Sequence, residues 1–232
     1  MRKPLALCLA LLTLAVSTCF AGAKGEAFLD VLRKTAVVET DVMLPMRDGV
    51  KLATDIARPK TAGKKFPVIL MRTPYHKNLG GAGGAVAGGY AFVAQDCRGR
   101  VNSEGEHRPF GDDANDAFDT IAWIASQPWC DGNVGMTGGS YVGYTQLAAA
   151  MAKAPALKCI YPAVPPSDFS NGTVHFGGTL RQELVQGWLI GKAWNSQRVQ
   201  RKEVPAEELA KWQPHRNFME WCWHLPLSDP GP

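Results

Sequence analysis

From residue 35 onward, short continuous apolar runs take turns with longer stretches whose apolar positions recur at helical spacing. Thr35–Leu44 and Lys51–Arg58 are rich in β-branched residues and flank Arg47-Asp48-Gly49. An Asp-Gly step between two such runs predicts a β-hairpin. Phe66–Met71 (FPVILM) and Tyr90–Gln95 (YAFVAQ) are apolar runs of strand length, the pattern of strands buried on both faces. Arg72–Gly89, between them, is rich in glycine. Its glycines do not fit G-x-G-x-x-G and no G-K-[ST] follows, so it reads as a flexible loop and not a phosphate cradle. Asp112–Ser126 predicts a helix, with Ala117, Ile121, Ile124 and Ala125 at helical spacing. Asp112, Asp113 and Asp116 crowd its first turns, where carboxylates favour the positive end of the helix dipole. That account is preferred to a metal-binding or acid–base role. Asn133–Thr137 reads as a strand, Tyr141–Ala152 as a helix of small residues, and Ala156–Ala163 as a strand before Pro165-Pro166. Strands alternating with helices predict an α/β fold around a mostly parallel sheet.

The texture changes after Pro166. Leu180–Ala193 and Ala206–Trp223 look helical, no further strand-like run follows, and five of the seven tryptophans lie beyond residue 187. Residues 24–166 are therefore expected to form the sheet-bearing unit and 167–232 a helical, Trp-rich appendage. Hydrophobic residues make up 46% and charged residues 20% of the 232, which excludes a disordered or fibrous chain. A net charge of only +4 argues against nucleic acid as a partner, since phosphate binding needs a concentrated basic face. The densest basic stretch, Arg198–Lys202, reads as a solvated helix face.

At the N-terminus Arg2 and Lys3 precede an apolar run, Leu5–Val16, and the small residues Ala21-Gly22-Ala23. That layout predicts a signal peptide over residues 1–23 and a secreted or periplasmic product. The apolar run is 12 residues long, short of the roughly 20 needed to span a bilayer as an uncleaved anchor. A lipid anchor at Cys19 is disfavoured by Thr18 before it. Export would leave Cys97, Cys130, Cys159 and Cys222. Outside the cytoplasm these permit one or two disulfides, in any of about three pairings. No C-x-x-C pair exists and no His stands at metal-ligand spacing from a Cys, so neither a zinc site nor a cofactor is expected.

The sharpest chemical signal is Gly138-Gly139-Ser140-Tyr141-Val142-Gly143, which follows a strand and opens a helix. In a nucleophile elbow the serine sits on a strained strand-to-helix turn with small residues around it, usually as G-x-S-x-G. Here the second glycine falls one place late and Val142 takes its usual slot. A serine nucleophile also needs donors for the developing oxyanion. The backbone N–H of Tyr141 is one. The loop after the third strand, Arg72-Thr73-Pro74-Tyr75, would hold the other, although by spacing alone Tyr75 reads as an ordinary packed tyrosine. Nucleophilic chemistry at Cys97 or Cys130 is disfavoured, since neither stands at an elbow.

Several stretches carry a resemblance. They are Met46-Arg47-Asp48-Gly49-Val50, Arg72-Thr73-Pro74-Tyr75, Gln95-Asp96-Cys97-Arg98-Gly99, Ser103-Glu104-Gly105, Asp119–Ile124 and Trp129–Gly143. In this order they resemble the Xaa-Pro dipeptidyl-peptidase-like serine hydrolases, a group that includes bacterial cocaine esterase and the α-amino-acid ester hydrolases. The resemblance runs from about residue 36 to 170, and G-x-S-Y-x-G is that family's form of the elbow. It implies an α/β-hydrolase fold, Ser140 as nucleophile, and an oxyanion hole made of the Tyr75 hydroxyl and the Tyr141 N–H. It further implies that the appendage is the start of a cap, with small esters or amides as substrates. The triad order in this fold is Ser, acid, His. Asp168, His175, His215, His224 and Asp229 follow Ser140, but each reads as a cap residue. About six of the fold's usual eight strands are visible. The acid and base are therefore expected on strands this sequence does not contain, and the alternative is an inactive fragment or a binding module.

Overall fold

The computed structural model describes residues 26–194 and 196–212. The leader read at 1–23, Cys222, His215, His224, Asp229 and the end of the helix expected to reach Trp223 lie outside the described residues. A helix over residues 26–35 (α1) leads into the hairpin β1 (Ala36–Pro45) and β2 (Lys51–Pro59). Then follow β3 (Phe66–Thr73), α2 (Ala82–Ala87), β4 (Ala91–Asp96), α3 (Asp113–Ser126), β5 (Cys130–Gly139), α4 (Tyr141–Met151) and β6 (Leu157–Ala163). The sheet order is β1-β2-β4-β3-β5-β6. β1 and β2 pair antiparallel, β2 joins β4 antiparallel, and β4, β3, β5 and β6 run parallel.

Alternation along the strands explains why both faces of this sheet are covered. Val68, Leu70, Val93, Val134 and Met136 pack on one face with Ala117, Ile121 and Ile124 of α3 and Ala149 of α4. Ile69, Met71, Phe92 and Ala94, one position out of phase, pack on the other with Leu32 of α1 and Ala82, Ala85 and Val86 of α2. Period-two alternation splits the neighbours of one strand between two cores, which is why each run reads as continuously apolar.

Two expectations need correcting. The stretch Arg72–Gly89 is not simply a flexible loop, because α2 lies within it and seals the second core. Its small residues serve close packing: a Cβ on Gly81 would stand 3.1 Å from the Phe92 ring. Beyond β6 the chain is not strand-free either. β7 (His175–Phe176) and β8 (Thr179–Leu180) form a two-stranded hairpin, closed by Gly177 at φ 57° and Gly178 at φ 81°. Two positive φ values are what a type I′ turn requires, and two-residue strands leave no apolar run to read. The helices α5 (Gln182–Trp194), α6 (Gln197–Gln200) and α7 (Ala206–Trp212) complete the described chain. Among the described residues no helix is long and apolar enough to cross a membrane.

Candidate active site

Ser140 joins β5 to α4 with φ 58° and ψ −127°, a backbone conformation that costs a non-glycine residue on the order of 1–3 kcal/mol. Its surroundings hold it there. Ser140 N–H donates to Ala163 O at 2.9 Å, and its carbonyl accepts from Gly143 and Tyr144 at 2.9 and 3.0 Å. The flanking glycines do different jobs. Gly138 has φ 137°, and a Cβ there would meet Val142 Cγ1 at 2.2 Å. Gly143 lets the first turn of α4 approach the end of β6, since a Cβ there would stand 3.1 Å from both Ala163 O and Pro165 Cβ. The late glycine is thus set by helix-to-strand packing, while Val142 fills the space above Gly138. Behind the turn, buried Gln146 donates to Gly138 O at 3.0 Å and accepts from Tyr161 N–H at 2.9 Å.

Tyr75 stands just past β3. Its backbone N–H donates to Thr73 Oγ1 at 3.0 Å, and its hydroxyl lies 3.5 Å from Ser140 Oγ. Tyr141 is the first residue of α4, where backbone N–H groups have no partner inside the helix. That N–H therefore remains available beside Ser140. The Tyr141 side chain points the other way, into the core. Its hydroxyl donates to Asp113 Oδ2 at 2.5 Å and accepts from Phe110 N–H at 2.8 Å.

Asp113 belongs to a buried charge network. Arg72, fully buried on β3, donates from Nε to Gln95 Oε1 at 2.8 Å and from Nη1 to Asp113 O at 2.9 Å. The same guanidinium lies 3.6 Å from Asp113 Oδ1 and 3.7 Å from Asp116 Oδ2. Arg98 closes on Asp116 at 2.6 Å and on Asp48 at 2.7 Å. Burial pushes the Asp113 carboxyl up from its ordinary range, against the pull of Arg72. It also pushes up the Tyr141 phenol and the Cys97 thiol, both helped by the nearby Asp113 charge. The acidic start of α3 is thus mainly a buried counter-charge for Arg72 and Arg98. Asp112 alone remains outside, paired with Arg108 at 2.5 Å.

A cavity of about 730 Å³ opens over Ser140, with Tyr75, Phe110, Tyr141, Trp188 and Leu184 among its walls. The Phe110 ring stacks on Tyr141 with centroids 4.6 Å apart and on Trp188 at 5.7 Å. Asp168 lines the same cavity, and His175 sits on β7. The hydrogen bond found for Ser140 Oγ among the described residues is the one to Tyr75. His107 Nδ1 is engaged with Arg98 O at 3.2 Å; burial, with Arg100 nearby, pushes its imidazole down to about 4. Among the described residues Cys97, Cys130 and Cys159 form no disulfide, and no group of three or more potential metal ligands occurs.

The X-Pro dipeptidyl-peptidase (S15) family matches residues 48–224. The chain belongs to that family. Within this S15 group it is 46% identical over 165 residues to the cocaine esterase of Rhodococcus sp. (strain MB1 Bresler), covering 66% of this chain and 29% of that protein. A CocE/NonD family hydrolase from Staphylococcus aureus superposes with a TM-score of 0.65 at 26% identity, covering 84% of this chain and 39% of that one. An α-amino acid ester hydrolase superposes at 0.55 with 33% identity, covering 68% and 30%. The S15 chain thus spans under a third of the length of the curated relatives it matches. Its sheet is the mainly parallel one expected of an α/β-hydrolase fold. Sequence reasoning singled out Ser140, Tyr75 and Tyr141, which the fold brings together. It missed Phe110, Arg100 and Trp188 and gave Asp113 only a helix-start role; the contacts of these four span 26 to 113 residues of chain.

Proposed function

We propose that the chain is the nucleophile-bearing part of a serine hydrolase that cleaves small esters or amides through an acyl-enzyme at Ser140. One observation carries this reading. Ser140 is held at a strained elbow with the Tyr75 hydroxyl 3.5 Å from its Oγ and the Tyr141 N–H beside it. Ser140 Oγ bonds to the substrate carbonyl carbon while its proton passes to an imidazole base from outside the described residues. The carbonyl electron pair moves onto oxygen and is met by the Tyr75 O–H and the Tyr141 N–H. When the carbonyl re-forms, the alcohol or amine departs with the proton, and water later reverses the sequence to free the acid. The aromatic and aliphatic cavity walls suit an apolar group on an acyl ester, an α-amino-acid ester or an Xaa-Pro peptide. The basic–apolar–small layout of residues 1–23 supports export, tested by whether the mature N-terminus begins at residue 24.

A second reading, a catalytically incomplete piece, is favoured by one observation: no histidine hydrogen-bonds to Ser140 Oγ among the described residues. The chain is incubated with a serine-directed fluorophosphonate and the adduct mapped by mass spectrometry. Labelling at Ser140, absent in Ser140→Ala, is the expected result; a folded chain that takes no label sinks the first reading for these residues.

A further inference from the structure

Helix α5 brings two polar groups onto the Tyr75 phenol. Trp188 Nε1–H donates to Tyr75 Oη at 3.4 Å. Lys192 Nζ lies 4.3 Å from the centroid of the Tyr75 ring and 6.0 Å from that of Trp188. Arg100, almost fully buried, fixes this arrangement. Its Nε donates to Pro74 O at 2.9 Å and its Nη1 to Lys192 O at 2.8 Å. One guanidinium therefore fastens the residue before Tyr75 to the turn of α5 that carries Lys192.

Of these two cations only Arg100 feels a nearby carboxylate, Asp96, and not at contact distance. Among the described residues neither Arg100 nor Lys192 has a carboxylate at ion-pair distance; Arg100 bonds to carbonyls and Lys192 lies on ring faces. Burial holds both below their ordinary basicity, and Arg100 lowers Lys192 further. Two like charges held together cost free energy in the resting chain. The proposed reaction forms a negative charge on the far side of the Tyr75 hydroxyl, where the phenol O–H is the group that meets it. A cation over the ring face draws electron density out of the phenol and strengthens its O–H as a donor. Because Oη already accepts from Trp188, its own proton is left to point away from the indole, and Ser140 Oγ is the other polar atom within reach.

We propose that Lys192 is a positioning residue of the oxyanion hole, acting through the Tyr75 phenol on the charge that forms at the substrate oxygen. The inference rests on Ser140 being the nucleophile. Its test uses the full chain and a neutral alkyl fluorophosphonate, whose phosphoryl oxygen occupies the place of the oxyanion. The Ser140 Oγ–P bond forms as P–F breaks, fluoride departs, and the serine proton passes to the base or to solvent. Maximal labelling rate and half-saturating concentration are measured separately.

Lys192→Met should lower the maximal rate about three- to tenfold with half-saturation unchanged. Lys192→Arg should keep most of the rate. In a Tyr75→Phe background Lys192→Met should cost nothing further. Lys192→Gln serves as a second neutral variant, with circular dichroism confirming the fold of each. An unchanged rate overturns the proposal, as does a change confined to half-saturation, which would mean that Lys192 touches the reagent itself. A loss that persists in the Tyr75→Phe background overturns it too. A parent chain that takes no label overturns the nucleophile reading and this one with it, a result told apart because no variant is involved.

Discussion

At the scale of single residues, Tyr141 divides its labour between main chain and side chain. Its N–H lies in the first turn of α4 beside Ser140, while its hydroxyl is committed to Asp113 and Phe110 in the core. Tyr141→Phe keeps the first and removes the second. It leaves a buried carboxylate short of a donor and a backbone N–H short of an acceptor, a loss of about 1–3 kcal/mol in unfolding free energy. Urea denaturation should show that loss, while fluorophosphonate labelling of Ser140 persists; abolished labelling in a folded variant would contradict this division. Asp113 also illustrates what residue-level reading misses. Carboxylates at a helix start suggest dipole electrostatics, and nothing in the local sequence announces that Arg72, 41 residues earlier, ends beneath them.

Among the elements, the strands were legible because burial on both faces writes itself as unbroken apolar runs. Predicted β3 and β4 lie within two residues of the observed Phe66–Thr73 and Ala91–Asp96. Helix α2 was not legible, since AGGAVA has the composition of a breaker and its packing against Phe92 is a tertiary fact. The elbow motif was legible as a pattern, but the late glycine acquired a reason only from the approach of α4 to β6. That reason makes a prediction. In Gly143→Ala the new Cβ meets the Ala163 carbonyl and the Pro165 backbone, neither of which is the free end of a side chain. The helix must shift, costing about 1–3 kcal/mol, more than the helix propensity gained, about 1 kcal/mol. Denaturation midpoints decide it: an unchanged or stabilised variant would show that α4 is free to slide.

For the molecule as a whole, two titrations shifted by burial oppose each other. Burial pushes Asp96 up to about 6 from 3.8; its Oδ1 accepts from Lys77 N–H at 2.6 Å, while among the described residues Oδ2 has no hydrogen bond, only the Lys77 ammonium at 3.9 Å. A carboxyl raised in the folded state binds more protons there, so its contribution is full below about pH 4 and is lost as pH rises to about 6. His107, pushed down to about 4 from 6.5, does the reverse, and stability falls as pH drops through that interval. Each spans about two pH units, or about 3 kcal/mol, so these two contributions should largely cancel between pH 4 and 6. Asp96→Asn should expose stability rising with pH, and His107→Gln stability falling with pH. Urea midpoints measured across the interval test both signs. Neither group could be read from the sequence, because both shifts come from burial. An acid and a base for the proposed Ser140 chemistry were not legible for a different reason: the candidates that follow it show no strand-end context in the sequence, and none hydrogen-bonds to it among the described residues.

The guanidinium of Arg100 grips main-chain oxygens at both of its ends, and that has a consequence for mutational drift. A clasp on carbonyls is indifferent to which side chains positions 74 and 192 carry, so the helix over the cavity can change its face without coming undone. Saturation mutagenesis scored on folding should therefore tolerate nearly every replacement at 192 and almost none at 100. The chain can vary its chemistry over the cavity while the clasp beneath stays fixed.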